Sequence, residues 1–343
     1  MPPNNYEQGS RNSQHFRTRG ARDASVTVVI RSQGRTSLER ALASVARQTW
    51  PNIEVLVIDA TGGAHPPVPV HCGPFPLRLV NTGTQLNRPQ AANAGLDHAW
   101  GDWLMFLDDD DFYDAGHVAS LVGAARAQDM RVAYSGTRLL DGQGRTIGEL
   151  NCAWGRLRLC ESNFIQMGAA MFHRSLLDTG CRFDERLIAY QDWDFWLQLS
   201  EHCAFAHTGA VTTNWCAQSG ESGAGIGPNR SRGNEEFVGL LFGKWAATRG
   251  RLVAFVQAAG RHAQWLLARG KAARAVQTLR AARNVAPDDP GLANLLGISL
   301  FEANEWPAAL RTMSEAQALA PGDPVIGRNR ERVARALTGV VRA

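Results

Sequence analysis

Four consecutive carboxylates, Asp108 to Asp111, directly follow the apolar run Trp103-Leu-Met-Phe-Leu107. Adjacent carboxylates repel one another and raise each other's pKa unless a cation neutralises them. A hard dication does this best. Mg²⁺ or Mn²⁺, held by a few carboxylates, can also bridge to substrate phosphates. A solvated acidic turn is the plainer alternative. The quartet, however, sits at the carboxyl end of a buried strand, the edge where open α/β sheets bind ligands. An EF-hand loop is excluded, because its glycine and closing glutamate are missing. Asp192 lies in Gln191-Asp-Trp-Asp-Phe-Trp196. Aromatic neighbours can desolvate its carboxyl and raise its pKa toward that of a useful general base. Equally, it could cap a helix whose aromatics are core. Asp59 closes a second apolar run and could accept from a nucleobase or ribose, or cap a turn. Arg88 is the nearest Arg or Lys upstream of the quartet. It could supply the cation a diphosphate needs, or face solvent as most arginines do.

The elements that must position these groups begin with Val26 to Ile30, a β-branched run without charge, as expected of a buried parallel strand. A helix over 37–48, with Ser37 as N-cap, leads to a second strand from Ile53 to Ile58 that ends at Asp59. Strand, helix and strand make a βαβ unit. The Gly- and Pro-rich stretch 61–76 reads as a surface loop, followed by a short strand at 77–80, a helix over 88–100 and the strand 103–107. Beyond Asp111 the pattern loosens into mixed helices and short strands up to about Asn214. Ser219 to Gly233 contains five glycines and reads as a mobile loop that would close over a bound ligand. From Asn234 onward the chain reads as all helix.

In that tail Ala275 recurs as Ala309, Ala282 as Ala316, Pro287 as Pro321, Leu266 as Leu300 and Leu279 as Met313, each 34 residues on. Gly297 follows Leu296 where a tetratricopeptide repeat has its Leu-Gly. Small residues let paired helices pack closely, and the proline ends each pair. Two repeats, about 256–289 and 290–323, fall short of the usual three, so they must lean on the preceding domain or on another subunit. The expected domains are a disordered leader at 1–24, an α/β domain at 25–250 and helical repeats at 251–340.

A formal net charge of +4 is too weak to argue for nucleic acid, though it suits a phosphate-bearing ligand or, at most, peripheral contact with a membrane. Six cysteines without a C-x-x-C pair read as free thiols in a reducing compartment. Residues 1–23 lack a signal peptide's apolar stretch, and no run of about 18 apolar residues exists to span a bilayer. A cytoplasmic location follows as the expectation.

Taken together, residues 25–220 resemble family 2 glycosyltransferases of the GT-A fold. The resemblance is carried by Val26 to Ile30, Val45-Ala-Arg-Gln-Thr-Trp-Pro51, Asn52 to Asp59 and Ala92-Asn-Ala-Gly-Leu96. Gly101 to Asp111, Asn163 to Ile165, Met171-Phe-His-Arg174, Phe183-Asp-Glu185 and Gln191-Asp-Trp-Asp194 follow in the family's order. The fold implied is an α/β nucleotide-diphospho-sugar transferase, a Rossmann-like mixed sheet flanked by helices, with a small all-α repeat domain appended. The resemblance also implies roles. Asp108 and Asp110 would be the outer carboxylates of a D-x-D motif on Mn²⁺ or Mg²⁺, with Asp109 and Asp108 against the nucleotide-sugar. Asp59 and Arg88 would hold nucleoside and diphosphate, and Asp192 would be the base of an inverting single displacement. The donor implied is a nucleotide-diphosphate sugar, a UDP-sugar first. Carbohydrate, lipid-linked and protein acceptors all stay open, as does a protein partner on the repeats. The chain departs from the family where Pro-Thr-Tyr-Asn is usual and Arg31-Ser-Gln-Gly34 stands. It departs again at Ala60, at Gln191 and at Gln218, where Asp, Glu and His are common.

Those departures motivate a rival from another class, a degenerate nucleotide-sugar-binding scaffold that recruits a partner through its repeats. A nucleotidyltransferase is a third reading, but it lacks the Gly-rich, cationic loop expected after the first strand.

Overall fold

A computed structural model describes residues 24–218 and 234–340. The leader expected at 1–24, Ala24 apart, and the glycine-rich loop expected at 219–233 lie outside the described residues. The first part is built on β1 (Val26–Ser32), α1 (Leu38–Ala46), β2 (Ile53–Asp59), a small hairpin of β3 (His71–Cys72) and β4 (Phe75–Asn81), α2 (Arg88–His98) and β5 (Trp103–Asp108). There follow β6 (Phe112–Tyr113), α3 (His117–Ala127), β7 (Val132–Leu140), β8 (Thr146–Leu150), α4 (Arg156–Leu159), β9 (Ala170–His173), α5 (Gln191–Ser200) and β10 (Ala206–Trp215). The sheet runs β3-β4-β2-β1-β5-β9-β7-β10-β6, with β8 paired to β7. Strands β4, β2, β1 and β5 are mutually parallel, and β9 runs antiparallel to β5. From β1 the chain builds outward through β2 and β4, then returns to place β5 on the other side of β1. That reversal opens a crevice at the carboxyl ends of β1 and β5.

Strand β1 is buried along its whole length because both faces of the sheet are covered. Val28 and Ile30 pack with Leu38, Ala41 and Val45 of α1 and with Val118 and Leu121 of α3. Val29, on the opposite face, packs with Ala91, Ala92 and Leu96 of α2 and with the aromatics of α5. Gly95 permits that approach: a Cβ there would lie 2.4 Å from Val29 Cγ1. Ser37 precedes α1 as expected, yet its side chain makes no capping bond. The capping box belongs to α2, where Asn87 Oδ1 accepts from the Gln90 amide at 3.0 Å and Gln90 Oε1 accepts from the Asn87 amide at 3.1 Å.

The helical part contains α6 (Glu235–Leu267), α7 (Ala272–Val285), α8 (Pro290–Glu302), α9 (Trp306–Leu319) and α10 (Pro324–Val340). The paired positions 266/300, 275/309, 279/313 and 282/316 are all buried, and Pro287 and Pro321 follow the ends of α7 and α9. A Cβ on Gly297 would lie 2.5 Å from Met313 Cγ, so α8 and α9 touch there because position 297 has no side chain. The 33 residues of α6 run unbroken through position 250. Leu241 and Leu252 enter the core of the α/β part, while Val256 and Ala263 enter that of the repeats. The repeats lean on the α/β part through this helix. A second contact sets Gly155 against Pro287 and pairs Arg158 with Asp288.

The anchor of α6 is a buried carboxylate. Asp194, fully buried on α5, accepts from Lys244 Nζ at 2.9 Å and Trp245 Nε1 at 2.8 Å. Asp192 and Asp194 are two residues apart on one helix, so they face different ways. Substituting Asp194→Ala would strand the indole N–H of Trp245 and leave Lys244 with Asp184 alone, at 3.0 Å. It should cost about 2–4 kcal/mol. Denaturant unfolding checks this, and a loss below about 0.5 kcal/mol would remove Asp194 as the anchor.

Candidate active site

Two adjoining clefts, of about 390 and 220 Å³, open at the carboxyl ends of β1 and β5 and share Arg31, Arg88, Asp108 and Asp110. The parallel register sets Arg31 opposite Asp108. Arg31 Nε donates to Asp108 Oδ1 at 2.9 Å, and Nη2 donates to the same oxygen. The four aspartates then diverge, because the strand ends at Asp108 and the chain turns.

Asp109 points back into the β1–α1 loop. Its carboxylate accepts from Ser32 Oγ at 3.0 Å, the Gln33 amide at 2.9 Å and Arg35 Nη1 at 3.1 Å. Asp111 is buried and accepts from Gln166 Nε2 at 2.9 Å and the Cys216 amide at 2.8 Å. Asp110 faces the clefts, 3.6 Å from Arg35 Nη1. Burial, with Asp108 and Asp109 beside it, pushes Asp110 up to about 6. Burial, with Asp110 and Asp108 near, holds Asp111 well above the ordinary carboxylate value.

Carboxylate oxygens of Asp108, Asp110 and Asp111 come within 4.8 Å of one another. Three hard oxygen donors this close, with two of the carboxyls driven toward protonation by burial and then by their crowding, fit a dication such as Mg²⁺ or Mn²⁺. Asp108 and Asp110 belong to this cluster, Asp111 joins them, and Asp109 hydrogen-bonds the β1–α1 loop.

Asp192 lies in the first turn of α5 and lines the smaller cleft with Asp108, Asp110 and Asp111. Its Oδ1 accepts from the Trp193 amide at 2.8 Å and its Oδ2 from Asn163 Nδ2 at 3.2 Å. Burial raises its pKa above the usual carboxylate value. Tyr190, before it, has φ +59 in the left-handed region, an uncommon place for a bulky residue and one enriched at functional sites. Arg88, at the start of α2, lines both clefts, and its Nη1 donates to Ile188 O at 3.4 Å. Burial, together with neighbouring Arg31, lowers its pKa.

Asp59 lines neither cleft. Its carboxylate accepts from the Thr61 amide at 2.7 Å, Thr61 Oγ1 at 2.6 Å and the Gly63 amide at 3.0 Å. Burial works to raise its pKa, but these bonds hold it below the ordinary value. Of the two roles open from sequence, the turn cap is the one these bonds describe. Gln218 also lines neither cleft, and its amide donates to Leu140 O at 3.4 Å. Sequence reasoning misses Arg31 and Arg35 as site residues. The signal in the sequence is their spacing: Arg31 stands five residues into β1 as Asp108 stands five into β5, and the two strands start in register.

Beneath the acidic turn, His117 is fully buried. Its Nε2–H donates to Gly168 O at 3.2 Å, which leaves Nδ1 to accept from Thr212 Oγ1 at 2.8 Å. Burial depresses its pKa to about 4 from 6.5, so the folded protein keeps it neutral. The unfolded chain therefore binds more protons between those values. The stability it contributes is full above pH 6.5 and is lost as pH falls toward 4. From pH 7 to 5 this group should cost about 2 kcal/mol. His117→Gln, which can keep one donor and one acceptor, should show that much less acid sensitivity in denaturant unfolding. Identical pH profiles for the two proteins would contradict the assignment.

Residues 25–178 match the family profile "Glycosyl transferase family 2", and residues 266–328 match a tetratricopeptide repeat profile. The chain is 26% identical to the uncharacterized glycosyltransferase YwdF of Bacillus subtilis, over 51% of its own length and 68% of that protein's. It is 29% identical to the amylovoran biosynthesis glycosyltransferase AmsB of Erwinia amylovora, over 50% of its length and 63% of that protein's. A crystal structure of S. aureus TarS 1–349 in complex with UDP-GlcNAc overlays with a TM-score of 0.51 at 15% identity, covering 92% of each chain. Among the described residues no helix is long and apolar enough to cross a membrane. Residues 25–178 thus form a family 2 glycosyltransferase domain within a GT-A fold, and the chain is a glycosyltransferase with tetratricopeptide repeats at 266–328.

Proposed function

We propose that this enzyme moves a sugar from a nucleoside diphosphate sugar, a UDP-sugar first, to an acceptor hydroxyl by one displacement that inverts the anomeric carbon. The observation that carries this reading is that Asp192 shares a cleft with the Asp108–Asp110–Asp111 cluster and Arg88. The larger cleft, lined by Arg31, Arg35, Arg88 and Asn87, suits the nucleoside diphosphate. Arginine forks match phosphate oxygens. Asp59, by holding the 59–63 turn, shapes the floor beside Ala60.

Asp192 keeps its carboxylate aimed by Asn163 and the Trp193 amide, with lone pairs left to take the acceptor's proton. As that proton moves to Asp192, the acceptor oxygen bonds to the anomeric carbon and the bond from that carbon to the diphosphate oxygen breaks. Arg88 and its arginine neighbours meet the negative charge that builds on the leaving group. A dication held by Asp108, Asp110 and Asp111 would supply further Lewis-acid stabilisation of that charge. Surface glycan, lipopolysaccharide or glycoconjugate synthesis is the setting we favour, since the relative AmsB is named for amylovoran biosynthesis.

The test is release of nucleoside diphosphate from a panel of nucleotide-sugars with Mn²⁺. Release from at least one donor, abolished by Asp192→Asn, supports the reading. Release from none, in a protein that still binds nucleotide, would favour the degenerate scaffold.

A further inference from the structure

We propose, building on the nucleotide-sugar reading above, that Arg31 occupies Asp108 in the free protein and yields it only when a nucleoside diphosphate arrives. Nucleotide and divalent ion would then bind as a coupled pair, with Arg31 setting the coupling.

The pairing is built into the sheet. Arg31 and Asp108 are register partners at the ends of two parallel strands, not residues on loops that meet by chance. Two nitrogens of the guanidinium, Nε and Nη2, converge on Asp108 Oδ1, while Nη1 lies 3.4 Å from the Arg88 carbonyl oxygen. Arg31 is only 8% exposed while the Asp108 side chain is 33% exposed, so water reaches the pair mainly from the carboxylate side.

Asp108 is also one of the three carboxylates that cluster within 4.8 Å. An ion binding there alone must compete with the guanidinium for Asp108. It must also bring its charge close to Arg31 and Arg88, both of which line the same two clefts. Binding of the ion by itself therefore costs an ion pair and adds like-charge repulsion. A diphosphate reverses both terms. Its oxygens accept the guanidinium fork that Asp108 gives up, and they offer the ion further oxygen ligands. Each ligand then strengthens the other by the same factor, because coupling between sites is reciprocal.

Arg31 also stands between the two halves of the site. The larger cleft holds the cationic loop residues, the smaller holds Asp192, and Arg31 lines both. A guanidinium that leaves Asp108 for a phosphate oxygen stays in the cleft as a fixed cation for the leaving group. This gives a physical reason for an arginine near the end of a strand that is otherwise uncharged.

The test is calorimetric titration of Mn²⁺ into the full chain, with and without saturating UDP, for wild type, Arg31→Met and Arg31→Lys. Methionine keeps much of the buried stem and removes the charge; lysine keeps a charge without the fork. For wild type, UDP should tighten Mn²⁺ binding at least about tenfold. In Arg31→Met, Mn²⁺ should bind the nucleotide-free protein several-fold more tightly than wild type, UDP without metal should bind more weakly, and the coupling should shrink. Arg31→Lys should fall between them, and decides the matter if the methionine variant does not fold. Wild type binding Mn²⁺ equally well with and without UDP would overturn the proposal whatever the variants do. So would variants whose nucleotide-free affinity for Mn²⁺ is unchanged or weaker. UDP binding with coupling unaltered by the variants rejects only Arg31's role, whereas no UDP binding under any condition rejects the nucleotide reading, and this proposal with it.

Discussion

Replacing Asp192 with asparagine should lower turnover by about 10²–10⁴-fold while leaving nucleoside diphosphate affinity within about threefold. The asparagine is nearly isosteric, so the cleft should keep its shape. Its amide oxygen can still accept from Asn163 or from the Trp193 amide. What it cannot do is take a proton from the acceptor. The loss should therefore fall on kcat, with little change in donor binding. Asp192→Glu is the companion variant: a carboxylate that reaches one methylene further should restore part of the rate. Steady-state kinetics on the two variants checks both statements. An Asp192→Asn enzyme within about fivefold of wild type would mean that another group is the base.

The second large effect is expected at Asp110. Asp110→Asn should lower transfer by about 10²–10³-fold and abolish the response to Mn²⁺. Asp110 lines both clefts, and its pKa is pushed up to about 6 by burial and then by its neighbours Asp108 and Asp109. That crowding is relieved by a bound cation, or by removing one negative charge. The variant should accordingly gain thermal stability without metal while losing activity. Asp109→Asn is the contrast. That carboxylate holds Ser32, Gln33 and Arg35, so its loss should loosen the β1–α1 loop and lower stability. Parallel melts and Mn²⁺ titrations on the two variants separate ligand from loop support. Equal behaviour of Asp109→Asn and Asp110→Asn in both measurements would contradict the division of roles.

Much of this arrangement is legible in the amino-acid order. The parallel unit is legible because strands buried on both faces are written as predominantly apolar, β-branched-rich runs, and β1, β2 and β5 read so despite Thr27 and Glu54. The repeats are legible because packed helix pairs demand small residues at fixed intervals, as Gly297 and Ala309 show. The long strands β7 and β10 are not. Strand β7 buries Ser135 and Thr137, and β10 carries Gly209 at φ +73 with register shifts on either side of Val211, so neither keeps a two-residue hydrophobic alternation. Within the site, the acidic quartet is visible in the sequence but its sorting is not. Side-chain direction follows from alternation only while the chain stays extended, and the strand stops at Asp108. Only the turn then decides that Asp109 points inward and Asp110 outward. Asp59 is ambiguous in the sequence because a carboxylate ending a strand looks the same whether it holds a nucleoside or caps a turn; only the fold shows it accepting from the Thr61 and Gly63 amides. Arg31 reads as a departure from the family pattern. Only the pairing of β1 with β5 turns it into a partner for Asp108.

The central claim, that the carboxylates at the end of β5 grip a dication and through it a nucleoside diphosphate, is tested most directly by anomalous diffraction from crystals soaked with Mn²⁺ and UDP. The expected map has one manganese peak within bonding distance of Asp110 and Asp111, phosphate density reaching it, and Arg31 turned toward the phosphates. A nucleotide bound elsewhere, or a cleft with phosphate density but no manganese in crystals that hold the ion at other sites, would contradict it.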